Sequence, residues 1–182
     1  MNILKSPNAL SLKINRQLLI FIAEFSILLS VFYILTIQFE SYVPIFNMQT
    51  TSATLVQILQ FFGLKATLNA NQVSLQSFVL EVVRQCTGLF EVITLLACVL
   101  AFPTSLRNKL LGAAMGLPLI YVANILRLVF LAYLGVYNFP IFEVVHDYIL
   151  QLTFFSFVIF IWFAWIDRVV RVRKNADAVQ QI

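Results

Sequence analysis

Four long apolar runs govern what this 182-residue chain can become. They cover residues 17–39, 86–102, 110–137 and 148–166. Each is near or above the roughly 20 residues a helix needs to cross a hydrocarbon core of about 30 Å. Only 11% of the chain is charged and 61% is hydrophobic, whereas a soluble domain carries about 25% charge. A water-soluble globule is excluded on that balance. Eighteen Phe with so little charge are also the opposite of a disordered composition. The expected fold is an all-α polytopic membrane protein, a single integral membrane domain over residues 1–182 with four transmembrane helices. The first run exceeds the roughly 7–15-residue core of a secretory signal, and no small-residue cleavage site follows it. It is read as a retained span.

Lys and Arg set the expected orientation. Lys5, Lys13 and Arg16 precede the first run, Arg107 and Lys109 lie between the second and third, and Arg168, Arg171, Arg173 and Lys174 follow the fourth. These segments are expected to be cytoplasmic, both termini included. The link between the third and fourth runs has no Lys or Arg, and the 40–85 segment has only Lys65 and Arg84. Both are expected to face outward. The net charge of +4 is thereby assigned to topology, and no nucleic-acid partner is expected.

Residues 40–85 form the expected outer-face cap. Leu55, Ile58, Leu59 and Phe62 recur at helical spacing, which predicts a small helix in the outer interface. Beyond Gly63, Val73, Leu75 and the Val79-to-Val83 run read as strands, with a turn at Asn69-Ala70-Asn71-Gln72. The expectation is a β-hairpin running into Cys86.

Four polar positions carry the candidate chemistry. Cys86 opens the second run, where a helix start favours a thiolate. Cys98 lies about 18 Å deeper on the same helix, too far for a disulfide, and is read as packing. Arg127 lies inside the third run, about 25 Å along it from Leu110; an intramembrane Arg is by default a functional candidate. Asn124 shares its helical face. His146 is the single His, and imidazole exchanges protons near neutral pH. A thiol, a guanidinium and an imidazole delivered by separate spans to one side suit acyl transfer. Glu91 and Glu24 are read as structural, with Glu91 a partner for Arg127 and Glu24 a cap on a polar seam. Gly112-x-x-x-Gly116 followed by Pro118 predicts close helix packing and a kink. Two Cys and one His exclude a Cys₄ or Cys₂His₂ zinc site, and no metal or cofactor is expected.

The set Cys86-Thr87-Gly88-Leu89-Phe90-Glu91, Asn124-Ile125-Leu126-Arg127 and His146, in that order, resembles the exosortase/archaeosortase family over roughly residues 63–165. The small size and four-span layout look like the short exosortase H type. Thr87 stands where many members have Ser. The resemblance implies a membrane cysteine transpeptidase or protease. Its substrates would be exported proteins bearing a C-terminal sorting signal: a short motif, a transmembrane helix and a basic tail. Cys86 would be the nucleophile, Arg127 the stabiliser of thiolate or oxyanion, and His146 the general acid/base. Thr87, Gly88, Asn124, Glu91 and Asp147 would support them. The implied location is the bacterial cytoplasmic (inner) membrane, with the site facing the periplasm or exterior. One competing reading is a non-enzymatic transport or assembly component built on a buried Arg–carboxylate network. Another is a lipid or acyl transferase using His146 without Cys86.

Overall fold

A computed structural model describes residues 7–39, 47–76, 78–145 and 150–172. The order is α1 (Pro7–Phe39), α2 (Met48–Phe61), β1 (Thr67–Asn69), β2 (Gln72–Ser74), β3 (Val79–Glu81), a 3₁₀ turn (Arg84–Cys86), α3 (Leu89–Ala101), α4 (Leu106–Tyr137), α5 (Phe139–Val144) and α6 (Leu150–Trp165). A π-helical turn, Ile166–Arg171, continues α6. The chain is a mostly helical, polytopic membrane protein. Among the described residues, three stretches are long and apolar enough to cross a bilayer: Arg16–Thr36, Leu106–Tyr137 and Leu152–Arg171.

The second apolar run behaves differently from its hydropathy. Its helix, α3, has 13 residues, about 20 Å of rise. Both ends have local causes. Gly88 precedes it in the left-handed region at φ 78°, so the helix begins at Leu89 and not at Cys86. At the other end Phe102 is extended at ψ 130°, as the residue before a proline prefers.

Two cores form. The bundle core joins Leu89, Val92, Leu95 and Val99 of α3 to Ile120 of α4 and Phe154, Val158, Ile161 and Trp165 of α6. α1 presents one stripe to it, Phe21, Phe25, Leu29 and Phe32, while its other faces are exposed. Phe21 stacks on Trp162 at 5.7 Å. Glu24 is exposed and caps no interior seam. Close approach is tight at all three glycines of α4: a Cβ on Gly112 would meet Trp165 Nε1 at 2.7 Å, one on Gly116 would strike Leu95, and one on Gly135 would strike the Phe78 ring. α4 runs unbroken through Pro118.

The second core is the cap. Leu55, Val56 and Leu59 of α2, Val73, Leu80 and Val82 of the sheet region, and Leu128, Leu131 and Ala132 of α4 pack together. The Leu55, Val56 and Leu59 side of α2 therefore packs on protein, while Phe61 and Phe62 at its end are exposed. The helix is held further by the Asn47 side chain, which accepts from the N–H groups of Gln49 and Thr50, and by Thr54 Oγ1 at 3.3 Å from Tyr121 Oη. Where a hairpin was expected, three strands form an antiparallel meander, β1-β2-β3. The turn falls where Asn69-Ala70-Asn71-Gln72 predicts it, with Ala70 at φ 55°. The third strand is added because Asn71 reaches across: its Nδ2 donates to Val82 O at 3.2 Å and Glu81 Oε1 at 3.3 Å.

Candidate functional site

Cys86 belongs to the cap core and Leu89 to the bundle core, so the turn between them lies at the seam of the two. The chain bends sharply there. Cys86 N–H donates to Val83 O at 2.8 Å and Thr87 N–H to Arg84 O at 3.2 Å, closing the 3₁₀ turn. The Thr87 hydroxyl donates to Arg84 O at 2.8 Å and accepts from Leu89 N–H at 3.4 Å. It thus caps the helix that the left-handed Gly88 starts. Thr87 is fully buried.

This bend has an electrostatic consequence. Val83, Arg84 and Gly88 carbonyls are taken by local N–H groups. The carbonyls of Gln85 and Cys86 receive no main-chain donor among the described residues. The Cys86 carbonyl is buried, where the lack of a partner is costly, while that of Gln85 lies at an exposed position. α4 supplies both donors. Asn124 Nδ2 donates to Cys86 O at 2.8 Å, and Arg127 Nη2 donates to Gln85 O at 3.3 Å. Residues three apart on a helix face the same way, so the Asn124-Ile125-Leu126-Arg127 spacing matches two consecutive carbonyls of the turn.

Gly88 fits the same clamp. A Cβ there would lie 3.1 Å from Asn124 Cγ and 3.2 Å from Asn124 Cβ. α4 passes so close to the turn that hydrogen is the only side chain that fits without displacement. Arg127 is held from its other side by α6: its Cζ lies 4.9 Å from the Phe154 ring centroid, within cation–π range. Sequence reasoning missed Phe154, because no spacing rule links an aromatic ring on one helix to a cation on another.

Cys86, Thr87, Gly88, Asn124 and Arg127 are thus brought together. Glu91 is not part of that clamp. Its Oε2 has no hydrogen-bond partner, and Arg127 acts on it only through space. With Glu24 exposed as well, the expected Arg–carboxylate network does not form among the described residues. Cys86 is 4% exposed and unbonded to Cys98; both thiols are free. α5 ends at Val144, and His146 and Asp147 lie outside the described residues.

Several polar atoms stay unsatisfied around the turn. Asn124 Oδ1, Arg127 Nε and Glu91 Oε2 are buried with no hydrogen-bond partner. The seam therefore holds the main chain of a free cysteine and its neighbour against Asn124 and Arg127, with spare acceptor and donor capacity in a mostly apolar setting.

A family model described as "Transmembrane exosortase" matches residues 12–165 of the chain. No curated protein matches it, and no solved structure does.

Proposed function

Because the chain belongs to the transmembrane exosortase family, we propose that it is a membrane-embedded cysteine transpeptidase or protease acting on C-terminal sorting signals. The observation that carries this reading is the clamp of Asn124 and Arg127 on the main chain of Cys86 and Gln85. It fixes the position of one cysteine and leaves the other unheld.

In this reading Cys86 Sγ attacks the carbonyl carbon of the scissile peptide. The oxyanion that forms is held by the Arg127 guanidinium. His146 donates a proton to the leaving amine as the C–N bond breaks, leaving a thioester on Cys86. An acceptor amine or water then attacks the thioester, gives its proton to His146 and releases the thiolate. Thr87, Gly88 and Asn124 keep the turn in place, and Glu91 sits beneath it as a supporting acid. No metal or cofactor enters these steps.

The membrane arrangement follows the charges. α1, α3, α4 and α6 act as four traverses with both termini inside, as in the short exosortase H type. Arg127 is then about 27 Å along α4 from Lys109, close to the outer boundary of a core about 30 Å thick. α3 stops about 10 Å short of that boundary. The gap is filled by the Cys86 turn and the cap. A substrate helix in the same bilayer would bring its scissile bond to that depth. The orientation corresponds to the bacterial inner membrane with the site toward the periplasm or exterior.

The test is processing of a candidate tripartite C-terminal signal in cells, read as substrate mass at matched enzyme levels. Native chain and Cys98→Ser should process it, while Cys86→Ser and His146→Ala should not. Processing by Cys86→Ser would overturn the nucleophile assignment and favour a His146-dependent transferase. An intact signal with the native chain, over a panel of such signals, would favour a non-enzymatic membrane component.

A further inference from the structure

β3 is an edge strand whose free side is defined by its register. Gln72 lies opposite Glu81, Val73 opposite Leu80 and Ser74 opposite Val79. Val82 N–H donates to Asn71 O at 2.9 Å, and Leu75 N–H donates to Phe78 O at 2.7 Å. Hydrogen-bonded pairs in an antiparallel ladder recur at every second residue. Phe78, Leu80 and Val82 thus direct their main-chain groups to β2. Val79 and Glu81 direct theirs the other way. The sheet ends there, and among the described residues no backbone bond from another element reaches Val79 or Glu81.

Exposed edges are normally blunted by Lys, Pro or a covering segment. Among the described residues no Lys, Pro or covering segment lies on this one; it is short and carries the charged Glu81, and it exposes apolar side chains beside it, Val79 at 55% and Val83 at 37%. Its position matters more. Only Val82, Val83, Arg84 and Gln85 separate Glu81 from Cys86. A second, independent observation lies at that end. Asn124 is fully buried, yet its Oδ1 has no partner, and Arg127 Nε one helical turn on has none either. One is an acceptor and the other a donor, the complement of a peptide N–H and C=O.

We infer that the free edge of β3 docks the substrate's extended segment, the stretch just ahead of its membrane helix, as a fourth strand. The segment pairs with the main-chain groups of Val79 and Glu81, and its end is carried to Cys86. The inference rests on the proposed function and adds how the substrate is held. Such pairing draws affinity from the main chain, and selectivity comes from alternate side chains. Residues of the segment that fall beside Val79 and Val83 are apolar.

The test uses the host's own substrates. Membrane proteomes of cells with and without the chain identify precursors that keep their C-terminal helix, and these serve as probes. Val79→Pro and Glu81→Pro each delete an outward N–H that bonds nothing among the described residues. Leu68→Pro does the same on the opposite edge, in β1. Processing should fall at least about tenfold for the first two and stay within about twofold for Leu68→Pro. Native processing by Val79→Pro and Glu81→Pro would overturn the inference. If proline lowers the amount of folded protein, a photo-crosslinking residue at position 79, in Cys86→Ala protein, decides instead. Capture of the precursors there but not at position 68 supports the edge; no capture at 79, or equal capture at both, overturns it. Absence of precursors, or native processing by Cys86→Ala, would instead defeat the proposed function itself.

Discussion

At the scale of single residues, the central fact is two carbonyls that the local chain cannot satisfy. The left-handed bend at Gly88 strips Gln85 and Cys86 of main-chain donors, and α4 replaces them with Asn124 and Arg127. Asn124→Ala should therefore do more than lose one bond, because it leaves a buried carbonyl unpaired. The expected cost is about 1–3 kcal/mol, seen as a lower unfolding midpoint in detergent, together with a loss of processing. Gly88→Ala should be at least as harmful. The φ of 78° alone disfavours a Cβ by about 1–2 kcal/mol, and the atom would press on Asn124. The same melting and processing assays check it. The reactive residue types were legible in the sequence because a thiol and a guanidinium stand out in an apolar chain. The clamp was only half legible: the spacing of Asn124 and Arg127 put them on one face, but not against which carbonyls. Phe154 was invisible, since it reaches Arg127 from another helix.

At the scale of elements, hydropathy located the apolar runs but overextended one. From Cys86 to Phe102 only Glu91 is charged, yet the helix is confined to Leu89–Ala101. Backbone geometry at Gly88 and the proline after Phe102 decide this, and a hydropathy average does not sense either. α2 was legible as a helix from its periodicity. Its partner was not, because an apolar stripe reads alike whether it meets lipid or α4. The turn at Asn69-Ala70-Asn71-Gln72 was read from its composition, while the third strand depends on Asn71 bonding across to Val82. That turn also places a non-glycine residue at φ 55°. Ala70→Gly should relieve about 1 kcal/mol, raising the unfolding midpoint of the cap without affecting processing. A lower midpoint would show that the turn is not under strain.

At the scale of the whole molecule, two cores meet along α4, and the candidate site lies at their junction. The N-terminal half of α4 packs in the bundle and the C-terminal half in the cap. The proposed orientation puts both termini inside, so a protease added to the outer face should leave tags at residues 1 and 182 intact. A cysteine placed at the exposed Phe61 of α2 should react there with an impermeant maleimide. Labelling of Phe61→Cys only from the inner face would reverse the orientation. The most direct test of the account is the covalent intermediate itself. Native protein and Cys98→Ser, isolated under acid quench from cells processing a substrate, should carry an acyl fragment on Cys86 that neutral hydroxylamine releases. Cys86→Ser should carry none. A hydroxylamine-sensitive adduct on Cys98, or continued processing by Cys86→Ser, would contradict the account.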